Sequence, residues 1–371
     1  MVVESVASGH VDLDKLRRWH VDVGRLVADG VAYPDIEQAA ASLGDWGEWY
    51  DYWAALGEDY ARRAEEALAA ERRVLAGDLF WRACMAYHYA QFFWFHDPPR
   101  REAGQHRKAE LYERAAPLLW PPAERFSVKV DEIAFGAYLR VPIDRPNTAR
   151  LPCVMLLGGL ESTKEESYLF ENECLRRGVA TCAFDGPGQG EVFFEAKLRG
   201  DFDRFTSAVL DELVRRPELD PTRIGVLGRS LGGNYAVRSA ALDQRLTACA
   251  VWGAMVDMSF WNQVDPGTRS GFAYVAGYGP DQLDAAGQYL NQVLDLGPVL
   301  ARVSCPVYIQ HGALDQIIPV SQVEALVAGL ANAPAVVVDI VPDANHCAHN
   351  RYQIARPRLA DWIIGQLGGR I

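Results

Sequence analysis

The pattern of hydrophobic and polar positions divides the chain into a helical part and a strand-rich part. In the first part, apolar residues recur with helical spacing, and Asp59 to Ala76 contains strong helix formers. Gly77 is predicted to end that helix, and an aromatic helix from Leu79 to Phe95 follows it. A further helix is predicted from about Gln105 to Ala116. We therefore expect an N-terminal helical domain over residues 1–122.

Beyond residue 122 the pattern becomes that of strands. Ser127–Asp131 and Ile133–Val141 alternate like antiparallel strands, with a turn predicted at Asp144–Asn147. Continuous apolar runs alternating with helical segments then predict a central, mostly parallel sheet with helices on both faces, an α/β fold. The predicted strands are Cys153–Leu157, Val179–Phe184, Ile224–Leu227, Leu246–Trp252, Val307–Gln310 and Ala335–Ile340.

One interval interrupts this alternation of strands and helices. Residues 254–297 are rich in aromatic residues and glycine, and they follow the strand after a candidate nucleophile described below. A cap over the active site is expected at this position. The remaining chain then forms the core in two parts, residues 123–253 and 298–371.

The stretch Gly228-Arg-Ser-Leu-Gly232 lies between an apolar strand and a helical pattern. Gly-x-Ser-x-Gly in this context predicts a nucleophile elbow, in which the chain turns so tightly that the flanking positions must be glycine. Ser230 is then the candidate nucleophile. The amide of Leu231, in the first turn of the helix, is predicted to stabilise an oxyanion.

A serine hydroxyl needs an imidazole to take its proton and a carboxylate to orient that imidazole. The order expected for this fold is nucleophile, acid, histidine. Asp315 follows one predicted strand and His346 follows the next, so we assign them as acid and base. Asp257 is an alternative acid and His349 an alternative base, whereas His311 is expected to be structural.

The glycine-rich loop after the strand Cys153–Leu157 is expected to supply a second oxyanion donor, the amide of Leu160. Glu161 beside it either contacts substrate or caps the helix that begins at Lys164. The turn Asp185–Glu191 resembles a phosphate loop but lacks its Gly-Lys-Ser/Thr ending, so a structural role is favoured. Further candidate substrate-binding residues are Tyr87, His88, Phe92, Trp252 and Trp261.

Composition and charge exclude several functional classes. The 371 residues carry 37 basic against 49 acidic side chains, a formal charge of −12, which argues against nucleic acid or an anionic membrane as partner. The N-terminus has no signal-peptide pattern, and seven cysteines without Cys-x-x-Cys spacing indicate free, buried thiols. We expect a cytoplasmic protein without metal or cofactor.

Four motifs resemble those of the α/β-hydrolase group that contains 2,6-dihydroxypseudooxynicotine hydrolase. They are the elbow from Gly228, the loop from Leu157, the turn Phe184–Glu191 and the tail Asn345–Asn350. The likeness covers most of residues 125 to 368. It implies an α/β-hydrolase fold with serine, aspartate and histidine at the positions given above, and retro-Claisen cleavage of a carbon–carbon bond beside a ketone.

The leading hypothesis is thus a serine-dependent hydrolase that cleaves a carbon–carbon or acyl bond in a mid-sized, aromatic or polyketide-like ketone. Alternatives are an acetate-eliminating lyase with the same residues, as in tetronate biosynthesis, a general carboxylesterase, and a non-catalytic receptor. The aromatic surface of the helical domain also suggests packing on the cap and a homodimer.

Overall fold

The computed structural model describes residues 13–19, 21–92, 94–143, 150–253 and 255–370, and for residues 17 and 18 the backbone alone. The predicted turn Asp144–Asn147 lies outside the described residues. No described helix is long and apolar enough to span a membrane.

Helices form the N-terminal part and pack around an aromatic core of their own. Trp49, Trp53 and Tyr89 are almost completely buried in it. Because most aromatic rings are buried within this part, they give the predicted homodimer less support than we expected, and it stays a prediction. The helices are α1 (Asp14–Arg18), α2 (Val23–Ala28), α3 (Tyr33–Ser42), α4 (Trp49–Ala69), α5 (Arg73–Ala90) and α6 (Pro98–Ala115).

The predicted helix boundary at Gly77 is wrong. The chain breaks between α4 and α5 at residues 70–72, and Gly77 lies inside α5. A Cβ at this position would come within 2.8 Å of the Leu118 backbone oxygen, so the glycine serves helix packing. Helix α6 also begins earlier than predicted, because Asp97 caps it by accepting the amide of Arg100.

An eight-stranded sheet in the described chain forms the core, in the order β1-β2-β4-β3-β5-β6-β7-β8. The first two strands form an antiparallel hairpin, β2 pairs antiparallel with β4, and the remaining pairs are parallel. The strands are β1 (Ala123–Val130), β2 (Ile133–Arg140), β3 (Leu151–Leu157), β4 (Ala180–Phe184), β5 (Leu219–Arg229), β6 (Cys249–Trp252), β7 (Val307–Gly312) and β8 (Val336–Val341).

Both faces of the sheet are covered, which explains why its strands are apolar without alternation. In β3, for example, Met155 faces one hydrophobic layer and Leu156 faces the other. Helices α9 (Phe202–Leu213) and α10 (Leu231–Leu242) cover the first face, and α7 (Tyr168–Leu175) and α14 (Tyr352–Gln366) cover the second. Helices α8 (Val192–Glu195) and α13 (Ser321–Gly329) complete the core.

The predicted insertion forms helices α11 (Pro266–Val275) and α12 (Leu283–Val293) between β6 and β7. Their buried side chains, including Phe272 and Leu290, belong to the same hydrophobic layer as α9 and α10. All seven cysteines are buried and free, as predicted. The carboxyl ends of β3, β5, β7 and β8 meet at one edge of the sheet, where the candidate site lies.

Candidate active site

Ser230 occupies the sharp turn between β5 and α10. Its φ of 55° and ψ of −122° are strained for a residue with a side chain. A Cβ at Gly228 would lie 1.9 Å from the carbonyl oxygen of Gly232, and one at Gly232 would lie 2.3 Å from that of Leu157. The close approach predicted for the elbow is therefore present, and it raises the serine hydroxyl above the sheet edge.

The structure brings Ser230, His346 and Asp315 together. Oγ of Ser230 lies 2.9 Å from Nε2 of His346, and Nδ1 of that imidazole lies 2.7 Å from Oδ2 of Asp315. The other carboxylate oxygen accepts the amides of Ile317 and Ile318 at 2.8 and 2.9 Å, which fixes the carboxylate. A serine, an imidazole and an anchored carboxylate in this order can activate the hydroxyl for attack on a carbonyl.

Asp315 and His346 each stabilise the charged form of the other. Burial disfavours the charged form of both groups, but each stabilises the charge of the other. Burial is outweighed in both cases: His346 lowers the pKa of Asp315, and Asp315, together with Cys347, raises the pKa of His346 above its ordinary value. The site thus favours a positively charged imidazole beside the hydroxyl of Ser230.

The alternative acid and base candidates make their contacts outside the group formed by Ser230, His346 and Asp315. Asp257 accepts a hydrogen bond from the Gln322 side chain at 3.0 Å. His349 pairs with Asp22 at 3.4 Å, and burial together with Arg229 lowers its pKa to about 4. Nε2 of His311 lies 3.1 Å from the Ile318 carbonyl, which is the structural role expected for it.

The loop after β3 carries Leu160 over Ser230. A Cβ at Gly159 would lie 3.1 Å from Cβ of Ser230, so the loop backbone passes close to the nucleophile. The side-chain Nε2 of Gln189 donates to the carbonyls of Gly158 and Gly159 at 2.6 and 3.0 Å. Through this residue the Asp185–Glu191 turn supports the loop, which is the structural role favoured for it. Among the described residues, the N–H groups of Leu160 and Leu231 have no backbone acceptor.

A cavity of about 50 Å³ lies directly over Ser230. That volume is far below the roughly 300–1,000 Å³ of sites that hold organic ligands. Its walls come from α2, the loop after β3, the elbow, the cap and the loops after β7 and β8. The lining residues are Arg25, Gly159, Leu160, Glu161, Ser162, Arg229, Ser230, Thr268, Phe272, Ile317, His346, Cys347 and His349.

A larger cavity of about 880 Å³ opens outside the first one. Thr268 and Ile317 line both cavities, so the two cavities adjoin at these residues. Trp46 of the helical part and Tyr274 of α11 are among the residues that line the larger cavity. Several of its other lining residues are aromatic as well.

Glu161 lines the Ser230 cavity, as predicted for a substrate contact. It does not cap the following helix, because the amide of Lys164 donates instead to Asp185 at 2.8 Å. Oε2 of Glu161 lies 3.4 Å from Nη2 of Arg101. The site therefore holds a buried carboxylate beside the loop that carries Leu160.

The other five residues predicted to contact substrate do not line this cavity, and their contact with substrate stays a prediction. They pack behind its walls or within hydrophobic cores. Tyr87 donates to Glu58 at 2.8 Å on the α4 side of its helix, and His88 lies 2.8 Å from Glu166. The guanidinium carbon of Arg25 lies 4.4 Å from the centre of the Phe92 ring. Trp252 packs against Phe170, and Trp261 packs against Phe272.

Sequence reasoning missed a buried charge cluster behind the elbow, which we define as Arg25, Asp29, Glu166, Arg229 and Arg356. Asp29 lies 3.1 Å from Arg229, 2.7 Å from Arg356 and 3.4 Å from Arg25. Glu166 pairs with Arg25 and Arg229. The cluster joins α2 to the elbow and to α14. Arg229, inside the Gly-x-Ser-x-Gly motif, was the one available signal, since a buried arginine needs a partner.

Two family models match the chain. One, described as esterase FrsA-like, matches residues 39–265, and the other, described as the prolyl oligopeptidase family, matches residues 176–370. Both are consistent with the sheet and elbow described above.

Curated proteins and solved structures give a more specific relationship. The chain is 42% identical to 2,6-dihydropseudooxynicotine hydrolase of Paenarthrobacter nicotinovorans, covering 95% of this chain and 93% of that protein. The crystal structure of 2,6-dihydroxy-pseudo-oxynicotine hydrolase superposes with a TM-score of 0.86 over 94% of this chain and 97% of that one. The 20-hydroxy-prefusarin hydrolase FUS2 of Gibberella moniliformis is 32% identical over 58% of this chain and 54% of its own length. The chain therefore belongs to the α/β-hydrolases, in the family of 2,6-dihydropseudooxynicotine hydrolase and the FrsA-like esterases.

Proposed function

We propose that this protein is a serine-dependent hydrolase in which Ser230, His346 and Asp315 form a catalytic triad. The observation that carries the proposal is the continuous chain of contacts, 2.9 Å from Ser230 to His346 and 2.7 Å from His346 to Asp315, beside a small cavity that Ser230 and His346 line. In this mechanism His346 accepts the serine proton, and Asp315 orients the ring and stabilises its charge.

The amides of Leu160 and Leu231 are proposed as the oxyanion donors. Leu231 begins α10, where the helix dipole favours negative charge, and Leu160 lies on the loop that passes over Ser230. Gln189 supports this assignment, since it binds the carbonyls of Gly158 and Gly159 and so fixes the orientation of the loop.

The proposed reaction is hydrolysis of a carbon–carbon bond beside a ketone. Ser230 attacks the carbonyl carbon, the bond to the neighbouring carbon breaks, and that carbon takes the electron pair together with the proton held by His346. Water then hydrolyses the acyl-serine, so ketone and water give a carboxylic acid and a protonated leaving half. The identity with 2,6-dihydropseudooxynicotine hydrolase along nearly the whole chain supports this bond type.

The small volume of the cavity also favours a carbanion-like leaving group over that of a simple ester. Such a group must be protonated by the enzyme, and a cavity of about 50 Å³ lined by Phe272 and Ile317 leaves little space for water around it. Ester hydrolysis is the second candidate, because the family model described as esterase FrsA-like matches residues 39–265.

Two measurements test the proposal. A fluorophosphonate should label wild-type protein at Ser230 and leave Ser230→Ala unlabelled, which tests the activated serine. Hydrolysis of aryl ketones in H₂¹⁸O should place ¹⁸O in the acid product and none in the aryl half. Fast, unselective turnover of nitrophenyl acetate without any cleavage of ketones would instead identify a carboxylesterase. A folded protein that is not labelled would favour a receptor.

A further inference from the structure

His349 holds a buried ring nitrogen that lacks a hydrogen-bond partner within the described part of the chain. The residue is 3% exposed and lies three positions after His346. Its Nδ1 atom lies 3.4 Å from Oδ2 of Asp22, whereas Nε2 has no partner among the described residues. Leaving a polar atom buried without a partner costs free energy, so a group that bonds Nε2 would bind favourably.

The Asp22 carboxylate determines which ring nitrogen of His349 carries the hydrogen. Nδ1 faces the carboxylate and so holds the hydrogen, which leaves a lone pair on Nε2. Burial lowers the pKa of His349 to about 4, and the positive charges of Arg229 and Arg25 act in the same direction. The ring is therefore neutral at pH 7, and Nε2 is an acceptor that needs a donor.

This acceptor belongs to the cavity over Ser230. His349 lines that cavity and Asp22 does not, so Nε2 is the nitrogen that a molecule in the cavity can reach. The centres of the His349 and His346 rings lie 6.3 Å apart, at an interplanar angle of 82°. Hydrogen bonds of about 2.9 Å from a single water molecule to both rings fit this separation.

Water suits this position better than other donors. The cavity of about 50 Å³ exceeds the roughly 10–15 Å³ that one water molecule needs. Arg25 and Arg229 line the same cavity, so an ammonium group would lie beside two guanidinium groups. A water molecule is neutral, and its two O–H groups can donate to His346 and to His349 at the same time.

We propose that His349 binds the water molecule that hydrolyses the acyl-serine. This inference rests on the proposed function, because it assumes that Ser230 becomes acylated. Once the leaving half has departed with its proton, Nε2 of His346 can accept a hydrogen from water. The water oxygen attacks the acyl carbon, one hydrogen passes to His346, and the other stays on the oxygen and donates to His349. The bond from the acyl carbon to Oγ of Ser230 then breaks, and Oγ takes the proton back from His346.

Competition between water and methanol for the acyl-serine tests this role. Methanol has a single O–H group, which donates to His346, so methanolysis needs no acceptor at residue 349. With an aryl ketone in buffered methanol and water, His349→Leu should raise the ratio of methyl ester to acid about 3- to 10-fold above wild type. That is the effect of one neutral hydrogen bond lost by water alone. The ratio is set after acylation, so a general loss of activity would leave it unchanged.

Two further variants complete this measurement. His349→Gln keeps an acceptor in its side-chain oxygen and should give a ratio close to that of wild type. His106→Leu removes an exposed imidazole that does not line the cavity, and it should keep the wild-type ratio. A wild-type ratio in His349→Leu, or an equal rise in His106→Leu, would overturn the role of His349.

A crystal structure of the wild-type protein tests the same role if His349→Leu does not fold. It should show a water molecule within about 3.2 Å of Nε2 of His349. A protein group bonded to Nε2 instead would overturn the proposal.

Nitrophenyl acetate separates this inference from the carbon–carbon bond chemistry, because an ester also forms an acyl-serine. If the ester is cleaved and no ketone is, a raised ratio of methyl acetate to acetate in His349→Leu would support His349 and overturn the bond type alone. Cleavage of the ketone with an unchanged ratio would overturn His349 alone. Failure to acylate Ser230 with either compound would overturn both proposals.

Discussion

The ammonium group of Lys108 donates to the hydroxyl of Thr163 at 2.6 Å, although the first lies on α6 and the second on the loop after β3. Lys108 is fully buried and also pairs with Glu165 at 3.0 Å. Arg25 reaches the same loop, donating to Ser162 at 3.3 Å. The helical domain therefore does more than cover the site, because it holds the loop that carries the proposed oxyanion donor Leu160.

Thr163→Val should lower kcat by about 10-fold or more and leave KM less affected. The substitution keeps the shape of the side chain but removes the hydroxyl that accepts a hydrogen bond from Lys108. The loop after β3 therefore loses one of the contacts that hold it in place. It should also lower the free energy of unfolding by about 1–3 kcal/mol, since a buried charged donor loses a partner. Steady-state kinetics and denaturant unfolding measure the two effects.

Thr206→Val provides the control for this variant. Thr206 is equally buried, and its hydroxyl bonds Ser239 and the Phe202 carbonyl in the core, away from the loop. It should lose stability while keeping kcat. Equal kcat losses in both variants would show that the effect of Thr163→Val is general destabilisation.

Ser230→Ala, His346→Ala and Asp315→Asn should each lower turnover by about 10³-fold or more, because the three groups act as one unit. Asp257→Asn should remain close to wild type, since its carboxylate bonds Gln322 and not His346. Turnover on a cleavable ketone measures the losses. A near-native rate in Asp315→Asn together with a loss in Asp257→Asn would show that the acid was wrongly assigned.

Gly228→Ala and Gly232→Ala should each prevent the native fold from forming. The added Cβ would lie 1.9 or 2.3 Å from a backbone oxygen, and backbone atoms cannot move aside as the end of a side chain can. Gly44→Ala is the control, because its nearest neighbour is the flexible, exposed carboxylate of Glu48 at 3.3 Å. Soluble expression and circular dichroism distinguish the outcomes, and a folded Gly228→Ala protein would contradict the elbow geometry.

Stability should fall as the pH drops from about 6.5 to 4, partly because of His349. Burial lowers the pKa of His349 to about 4 in the folded chain, whereas an unfolded histidine titrates near about 6.5. Between these values the unfolded chain binds a proton that the folded chain excludes, so acid favours unfolding. The loss amounts to roughly 3 kcal/mol once the pH is below both values.

His349→Gln should therefore flatten the curve of unfolding free energy against pH in this window. The unfolding free energy of His349→Gln should still fall somewhat with decreasing pH, because burial also lowers the pKa of His88 well below its ordinary value. His106→Gln, which removes an exposed imidazole from the helical part, is the control substitution. A His349→Gln curve that coincides with that of the wild type would contradict the prediction.

The sequence predicted best those features that depend on residues close together along the chain. Strand, turn and helix around Ser230 follow from Gly228 and Gly232, whose role is steric and local. Asp315 and His346 could be placed because parallel strands bring their carboxyl ends to the same edge of the sheet.

Features that depend on distant contacts could not be predicted. Trp252 and Trp261 have the composition of a pocket wall, but nothing in the local pattern indicates whether a ring faces a cavity or a core. Arg25 gave no signal at all, since its position over Ser230 depends on contacts with Ser162 and Glu166, 137 and 141 residues away. Gly77 was misinterpreted for the same reason, because Leu118 packs against it in the folded chain.

The buried pairing of Asp29 with Arg229 and Arg356 has a consequence for how this protein can evolve. Two arginines of the α/β part find their counter-ion in the helical part, so exchange of the helical part by recombination would leave buried charges uncompensated unless the incoming segment also supplied an aspartate there. A chimera between relatives would have to inherit all three residues as a set. A change at one side of this pairing would therefore require a matching change at the other.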